Sequence, residues 1–441
     1  MAQKAYSESF GQHFIASKDL IPGELLITEN PLAKVLDEKN YNSHCGNCSK
    51  ELTKKILKCS ACSSIVYCCI SCQRSDWKIH KLECQGFRKA KPNRPNTMLR
   101  LLSRFLYAIN LNPQVCDLIT DSQMADGLGS NDPKERFKRN GDLGSLVSHK
   151  EKFSSSKLES YAEMIMGLPL IVEEHHLLSA SDMITLMCIF SSNSMAICSE
   201  EGTNIGVGLY PLMAIANHSC NPNACVQFKD GIAHMRVIRP IKQGEQIFIS
   251  YIESLDFKEN RLKALHDQYF FHCKCTWCTE QDPFDFEMDH QTQNTMDSFK
   301  TQYINGDIHS YTLETLAIDY QKSMKIFPKN HIIPFHIRKQ YFDKCLQNGN
   351  WRECIQLSLD NAKCLSMTYG DYFPLISISY YYIFKCAQHF SDSKSIELAR
   401  EYGLAVCRNM KITHPNSDMY EQLCNEYRMW LTDLEYAGLE Q

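Results

Sequence analysis

No stretch of this 441-residue chain approaches ~18 uninterrupted apolar residues, so the pattern contains no transmembrane helix. The opening residues, Met1 to Glu8, include no apolar leader segment, and a secretory signal is not expected. An excess of one charge sign is also missing: 47 Lys and Arg stand against 51 Asp and Glu. The resulting net charge of −4 gives the whole chain no polyanion-binding signature. No Gly-x-Gly-x-x-Gly unit follows a strand-like run, which argues against a Rossmann sheet. Hydrophobic content of 44% and charged content of 22% describe an ordinary globular protein, long enough for two to four domains. A soluble intracellular protein is the expectation.

What the chain has in excess is cysteine, 22 residues in all. In a reducing compartment these are not expected to form disulfides. Twelve fall into two groups with metal-ligand spacing, at 45–84 and at Cys220 plus 273–278. The other ten, among them Cys116, Cys188, Cys225 and Cys386, stand among apolar residues, where a thiol packs as a small hydrophobe.

The first group reads Cys45-x2-Cys48, Cys59-x2-Cys62, Cys68-x3-Cys72 and His80-x3-Cys84. Eight ligands of the types zinc prefers complete two tetrahedral sites with no open position, which makes them structural, not catalytic. Asp76 to Cys84 has helical spacing, placing His80 and Cys84 one turn apart on one face. Cys69 competes with Cys68 as a ligand, and the x3 spacing to Cys72 favours Cys68. The pattern resembles the MYND zinc finger, whose ligand pairs alternate. On that pattern Cys45, Cys48, Cys68 and Cys72 hold one ion, and Cys59, Cys62, His80 and Cys84 hold the other. RING and PHD fingers place their histidine in the middle of the ligand order instead. The segment carries seven Lys and Arg against three Asp and Glu. Seven zinc-bound thiolates and two Zn²⁺ reduce that excess to about +1, a poor general phosphate binder. The resemblance implies a protein-interaction module for proline-containing peptides.

The second group begins in Asn217-His218-Ser219-Cys220-Asn221-Pro222-Asn223. Ile249-Ser250-Tyr251 follows, and then Tyr269-Phe270-Phe271-His272 runs into Cys273-x-Cys275-x2-Cys278. In this order and spacing the pieces resemble the SET-domain protein-lysine methyltransferases. Those that carry an inserted MYND finger form the SET-and-MYND (Smyd) family, and the resemblance extends over essentially the whole chain. It implies an α+β fold: a β-rich SET domain split by the finger, a zinc-bound post-SET segment, and an all-α, TPR-like C-terminal domain. The corresponding boundaries are 1–44 for the first part of SET, 45–84 for the finger and 85–200 for a helical insertion. The core of SET then spans 201–252, the post-SET segment 253–280 and the helical domain 281–441.

The resemblance implies S-adenosylmethionine as cofactor, with three structural Zn²⁺, the third held by Cys220, Cys273, Cys275 and Cys278. Phe10, Gly11, Gln12, His149, Asn193, Asn217, His218, Tyr269 and Phe271 are the implied cofactor contacts. Tyr251 and Tyr269 are the implied catalytic residues, with Tyr210 as an additional wall of the lysine channel. The implied substrates are histone or other proteins with a target lysine, met by a monomer in cytoplasm and nucleus. Members of the family usually have Gly where His13 stands and Arg or Asn where Gln12 stands. Losing a glycine could close φ > 0 conformations to this loop. His13 itself reads as a loop surface residue. These departures support a second reading, a catalytically weak MYND/TPR adaptor. A zinc-dependent nucleic-acid binder is disfavoured by the near-neutral finger.

The local pattern supplies several elements directly. Met98 to Ile109 has a helical apolar stripe, residues 97–200 read as largely helical, and Ser122 to Asn140 is a polar loop. Cys225–Phe228, Ala233–Val237 and Gln246–Tyr251 alternate as strands, with turns at Asp230-Gly231 and Gln243-Gly244. In the last third, Phe327–His331, Thr368–Tyr372 and Thr413–Ser417 recur after amphipathic stretches. This resembles long tetratricopeptide helix pairs; a plain helical bundle is the alternative.

Overall fold

The computed structural model describes residues 1–52, 56–90, 95–111, 146–280, 282, 284, 289–304, 311–415 and 417–436. Cys116, the Ser122–Asn140 segment read above as a loop, and Asn416 lie outside them. In chain order the strands are β1 (Ala2–Ser7), β2 (Gly11–Ala16), β3 (Leu25–Glu29), β4 (Ala33–Leu36), β5 (Leu57–Lys58), β6 (Val66–Tyr67), β7 (Ser194–Cys198), β8 (Asn204–Leu209), β9 (Asn217–His218), β10 (Ala224–Lys229), β11 (Ile232–Val237) and β12 (Gln246–Ile249). The α-helices of the first two thirds are α1 (Ile70–Lys89), α2 (Thr97–Leu111), α3 (Ser155–Met166), α4 (Ala180–Asn193), α5 (Lys258–Tyr269) and α6 (Thr276–Thr279). The last third contributes α7 (His290–Tyr303), α8 (Leu313–Ile326), α9 (Ile332–Gln347), α10 (Trp351–Tyr369), α11 (Pro374–Ala387), α12 (Ser393–Thr413) and α13 (Asp418–Tyr436). The result is a mixed α and β architecture, with the helices of the last third following the strands. Among the described residues, no helix is long and apolar enough to cross a membrane.

Among the described residues the strands form four small sheets. One has the order β1-β2-β12-β9, in which β12 pairs antiparallel with β2 and parallel with β9. That parallel pairing sets Asn217 beside Phe248 and His218 beside Ile249. Alternation explains the second sheet, β10-β11-β3: Ala233, Met235 and Val237 are buried while the residues between them are only partly covered. Asp230 and Gly231 both have positive φ (55° and 75°), as the two-residue turn of that hairpin requires. The segment 97–200 is helical over α2, α3 and α4, but it ends in β7, which pairs with β8.

Helix α1 packs on α2, and Gly86 makes the close approach to the segment after α3 possible. A Cβ added at Gly86 would lie 2.6 Å from Ile171 Cα and 2.9 Å from Ile171 O. Gly86→Ala should therefore cost about 1–3 kcal/mol of stability, read as a lowered unfolding midpoint in urea. In the last third each helix from α8 onward packs on the next. The three recurring segments fall at the junctions α8–α9, α10–α11 and α12–α13. These helices are tied back to the earlier part of the chain: Lys50 Nζ meets Asp418 Oδ2 at 2.7 Å, and Met419 N donates to Glu200 Oε2 at 3.1 Å.

Candidate functional site

Among the described residues three tetrads of ligand atoms are assembled, each with its members within 4.8 Å of one another. Cys45, Cys48, Cys68 and Cys72 form the first, Cys59, Cys62, His80 and Cys84 the second, and Cys220, Cys273, Cys275 and Cys278 the third. The contacts Cys48–Cys68 (3.7 Å), Cys59–Cys84 (3.7 Å) and Cys220–Cys278 (3.6 Å) match the edge of a zinc–thiolate tetrahedron, about 3.8 Å for a 2.3 Å Zn–S bond. Cys68, not Cys69, enters the first tetrad. Cys69 caps α1 instead: its exposed thiol accepts from Cys72 N at 3.5 Å.

The second tetrad has a built support. His80 directs Nε2 to Cys62 Sγ at 3.5 Å, and its Nδ1 lies 3.5 Å from Glu83 Oε2. The carboxylate thus stands behind the imidazole at ion-pair distance, where its charge favours a proton on Nδ1 and leaves Nε2 for the ion. Glu83 in turn takes Arg104 Nη1 at 2.8 Å and Arg100 Nε at 3.3 Å, while Arg104 also pairs with Asp76. Tyr67 hydroxyl donates to Asp76 Oδ2 at 2.7 Å. All four charged side chains are buried. The two arginine charges beside Glu83 overcome its burial and hold its carboxyl well below the usual carboxylate range. Sequence reading missed this cluster, although Arg100 and Arg104 interrupt the apolar stripe of α2 one turn apart.

Around the third tetrad lie the predicted aromatic residues. Tyr251 stands 4.9 Å from Tyr269 and 6.4 Å from Phe271, between ring centroids. Tyr251 hydroxyl donates to Ala216 O at 2.7 Å, immediately before Asn217, and Tyr269 hydroxyl donates to Tyr251 O at 3.4 Å. Burial raises the Tyr251 phenol above its ordinary pKa, so it stays protonated at neutral pH.

His218 is spent within the protein. Its Nδ1 accepts from Tyr251 N at 3.0 Å, which leaves the ring proton on Nε2, 3.3 Å from Cys220 Sγ. Burial pushes its pKa down to about 4, so the ring is neutral. The imidazole thus joins the main chain of Tyr251 to a ligand of the third tetrad, with both of its nitrogens engaged.

The remaining predicted contacts fall into two groups. Asn217 Nδ2 donates to Phe10 O at 3.1 Å, bringing Phe10, Gly11 and Gln12 beside the Asn217–His218 strand. Asn193 Nδ2 donates to Val147 O at 3.1 Å and to Ile189 O at 2.8 Å, bringing α4 to the His149 segment. His149 ring packs on Phe270 at 5.6 Å, and Phe270 packs on Phe153 at 4.7 Å. Phe270 itself has φ 60°, ending α5 in a left-handed conformation that sequence reading did not foresee.

Two expectations are corrected. His13 is not a loop surface residue: it lies in β2, 8% exposed, with Nδ1 2.9 Å from Gly11 O. The left-handed residue of this loop is Gly11 (φ 61°), which the chain retains, so the missing glycine at 13 closes no needed conformation. Tyr210 is no channel wall. It is fully buried, its hydroxyl donates to Gly231 O at 2.7 Å, and its ring packs on Phe228.

Comparison with known proteins agrees with this geometry. The MYND finger family matches residues 45–84, which contain the first two tetrads. The histone-lysine N-methyltransferase ASHR1 of Arabidopsis thaliana is 32% identical over 61% of this chain and 53% of its own length. The histone-lysine N-methyltransferase SMYD3 of Homo sapiens is 32% identical over 62% of this chain and 60% of its own length. The N-lysine methyltransferase SMYD2 of Homo sapiens is 27% identical over 81% of both chains. The finger and these relatives together support a protein of the SET-and-MYND (Smyd) type. It spans between half and two thirds of the length of the first two relatives.

The third tetrad also has a support that the sequence motif does not name. Arg261 of α5 is 1% exposed, pairs with buried Asp282 at 2.5 Å, and interacts with Cys220. Four thiolates around Zn²⁺ carry a net −2, and a buried guanidinium offsets it. A sequence signal exists only in retrospect: Arg261 is a cation on the buried side of a short amphipathic helix.

Proposed function

We propose that this protein is an S-adenosylmethionine-dependent protein-lysine N-methyltransferase acting on histone or non-histone proteins. The observation that carries the reading is the junction at Asn217–Cys220. There the Tyr251 hydroxyl reaches Ala216 O, His218 reaches both Tyr251 N and Cys220, and the third tetrad ties the strand to the segment bearing Tyr269 and Phe271. The names of the relatives, histone-lysine and N-lysine methyltransferases, support the same activity.

The residues present suit the cofactor. Gly11 has open space where a side chain would stand, and Gln12 presents a buried amide oxygen with no hydrogen-bond partner among the described residues. That acceptor suits an ammonium group, and Asn217, Asn193, His149, Tyr269 and Phe271 would complete the site. When bound, S-adenosylmethionine supplies the electrophilic methyl group.

A free lysine, with pKa near 10.4, is neutral in only about one molecule in 2,500 at pH 7. An apolar aromatic channel disfavours its charged form and raises the fraction with a free lone pair. Because the Tyr251 phenolic proton is committed to Ala216 O, the Tyr251 oxygen faces a substrate as an acceptor. It would take an N–H of the amine and leave the lone pair directed elsewhere. Tyr251 is then an orienting group and not a general base. Tyr251→Phe should lower methyl transfer about 100-fold while three zinc ions stay bound, since misorientation alone has costs of that size. Near wild-type turnover in this variant would refute the role.

The finer assignments belong to the same reading. The small sheets form a SET domain split by the MYND finger, 253–280 is a post-SET segment, and α7–α13 is a TPR-like array. Protein substrates would enter between that array and the β-rich part, and the finger would take proline-containing peptides. Nucleic acid would bind weakly if at all, and the protein would act as a monomer in cytoplasm and nucleus. A protein and peptide array incubated with labelled S-adenosylmethionine tests the activity, and calorimetry with the cofactor separates it from an adaptor, which would bind none.

A further inference from the structure

The segment following Tyr251 makes a tight turn. Ser250 Oγ donates to Ile252 O at 2.8 Å and lies 3.1 Å from Ser254 Oγ. Ser254 is fully buried, so its backbone N–H must find a partner inside the protein. That partner is distant in sequence: Ser254 N donates to Tyr369 Oη at 3.1 Å, at the C-terminal end of α10. The same hydroxyl donates to Glu253 Oε1 at 2.5 Å, and Glu253 Oε1 also accepts from Leu255 N at 3.1 Å. A second helix of the array joins in, with His336 Nε2 of α9 donating to Leu255 O at 2.9 Å. Tyr369 ring is held by stacking on Phe373, centroids 4.0 Å apart and planes 17° apart.

The main chain at this position reaches the other flank of the site. Tyr369 O accepts from Arg239 Nε at 3.1 Å, and Thr368 O accepts from Arg239 Nη2 at 2.5 Å. The remaining guanidinium nitrogen, Nη1, bonds to Asn221 Oδ1, one residue beyond Cys220. The end of α10 therefore holds both segments that meet at the Tyr251–Ala216 hydrogen bond.

We propose that Tyr369 is a positioning residue for methyl transfer: its hydroxyl fixes the 250–255 turn, and thereby Tyr251, against the strand carrying Asn217. The helical array is on this account part of the catalytic frame as well as a wall of the substrate cleft. The inference rests on the methyltransferase reading, and its test separates the two.

Tyr369→Phe keeps the stacked ring and removes only the bridging hydroxyl. With the 441-residue chain, S-adenosylmethionine and a peptide selected on the array, the variant should lose about tenfold in kcat, with peptide KM within about twofold. Zinc content should stay at three. Glu253→Gln retains the acceptor oxygen and should preserve activity, whereas Glu253→Ala should match Tyr369→Phe. The double variant Tyr369→Phe/Glu253→Ala should be no worse than either single one, since both break one latch. A merely structural tyrosine would lower the unfolding midpoint and leave kcat per folded molecule unchanged, which would overturn the proposal. Additive losses in the double variant would overturn it too. Should the wild-type chain methylate nothing on the array, the methyltransferase reading fails. The latch would then be judged by amide hydrogen exchange: Tyr369→Phe should speed exchange over 217–223 and 250–255, and unchanged exchange refutes it.

Discussion

Replacing Cys220 with serine should leave a protein with two zinc ions instead of three and with methyl transfer reduced by at least about 100-fold. The size follows from what the third tetrad holds together. Cys220 lies just beyond the strand containing Asn217, and its three partners come from the segment directly after Tyr269 and Phe271. Without the ion the aromatic segment loses its fastening to that strand, and displacements of about 1 Å at a reacting centre have costs of this order. The loss extends further, because Cys220 also receives His218 Nε2 and offsets Arg261. The finger tetrads share no ligand with it and should keep their ions. Metal content by mass spectrometry under native conditions and turnover with labelled cofactor are the two readouts. Full turnover with two bound ions would refute the coupling.

The second large effect is expected at Glu83, remote from the aromatic residues. Glu83→Ala removes the carboxylate between Arg100 and Arg104, which are 2% and 6% exposed. Asp76 remains as a partner for Arg104, but Arg100 loses the carboxylate that its Nε meets. Breaking one side of a buried ion pair costs about 3–5 kcal/mol, more than most single substitutions. Because Glu83 also stands behind His80 Nδ1, the second tetrad should release zinc to a chromogenic chelator faster than in the wild type. An unchanged midpoint of thermal unfolding together with unchanged zinc release would exclude this role. The cluster joins α1 to α2, so the finger is anchored to the adjoining helices by charge as well as by packing.

The sequence made some of this legible and concealed the rest for identifiable reasons. Ligand spacing was readable because a tetrahedral ion imposes short, regular gaps, and even Cys68 could be preferred to Cys69 from the x3 gap. Strands β10, β11 and β12 were readable from alternation, and helix α2 from its stripe. The partners of buried charges were not, since Glu83–Arg100 and Arg261–Asp282 are tertiary contacts with no local pattern. The rotation of single residues was equally hidden. Nothing in Gln12-His13 announces that β2 buries the histidine and that Gly11 alone takes the positive φ. His218 was assigned to cofactor by resemblance, and the link its ring makes between Tyr251 and Cys220 had no local signal either.

The order β1-β2-β12-β9 has a consequence for how the chain reaches its native state. Strand β2 pairs with β12, some 230 residues further along, and β12 pairs with 217–218, so the sheet closes only once the chain has been made through Ile249. Contacts of such long sequence separation form slowly, because loop-closure entropy is lost before they can form. The two finger tetrads draw all their ligands from 45–84 and can close on zinc while the ribosome is still elongating the chain. Until then β1 and β2 form a hairpin whose inner edge is unpaired, a template for wrong partners. Nascent chains of this protein should therefore need shelter longest at their N-terminal end, until the strand that completes the sheet emerges.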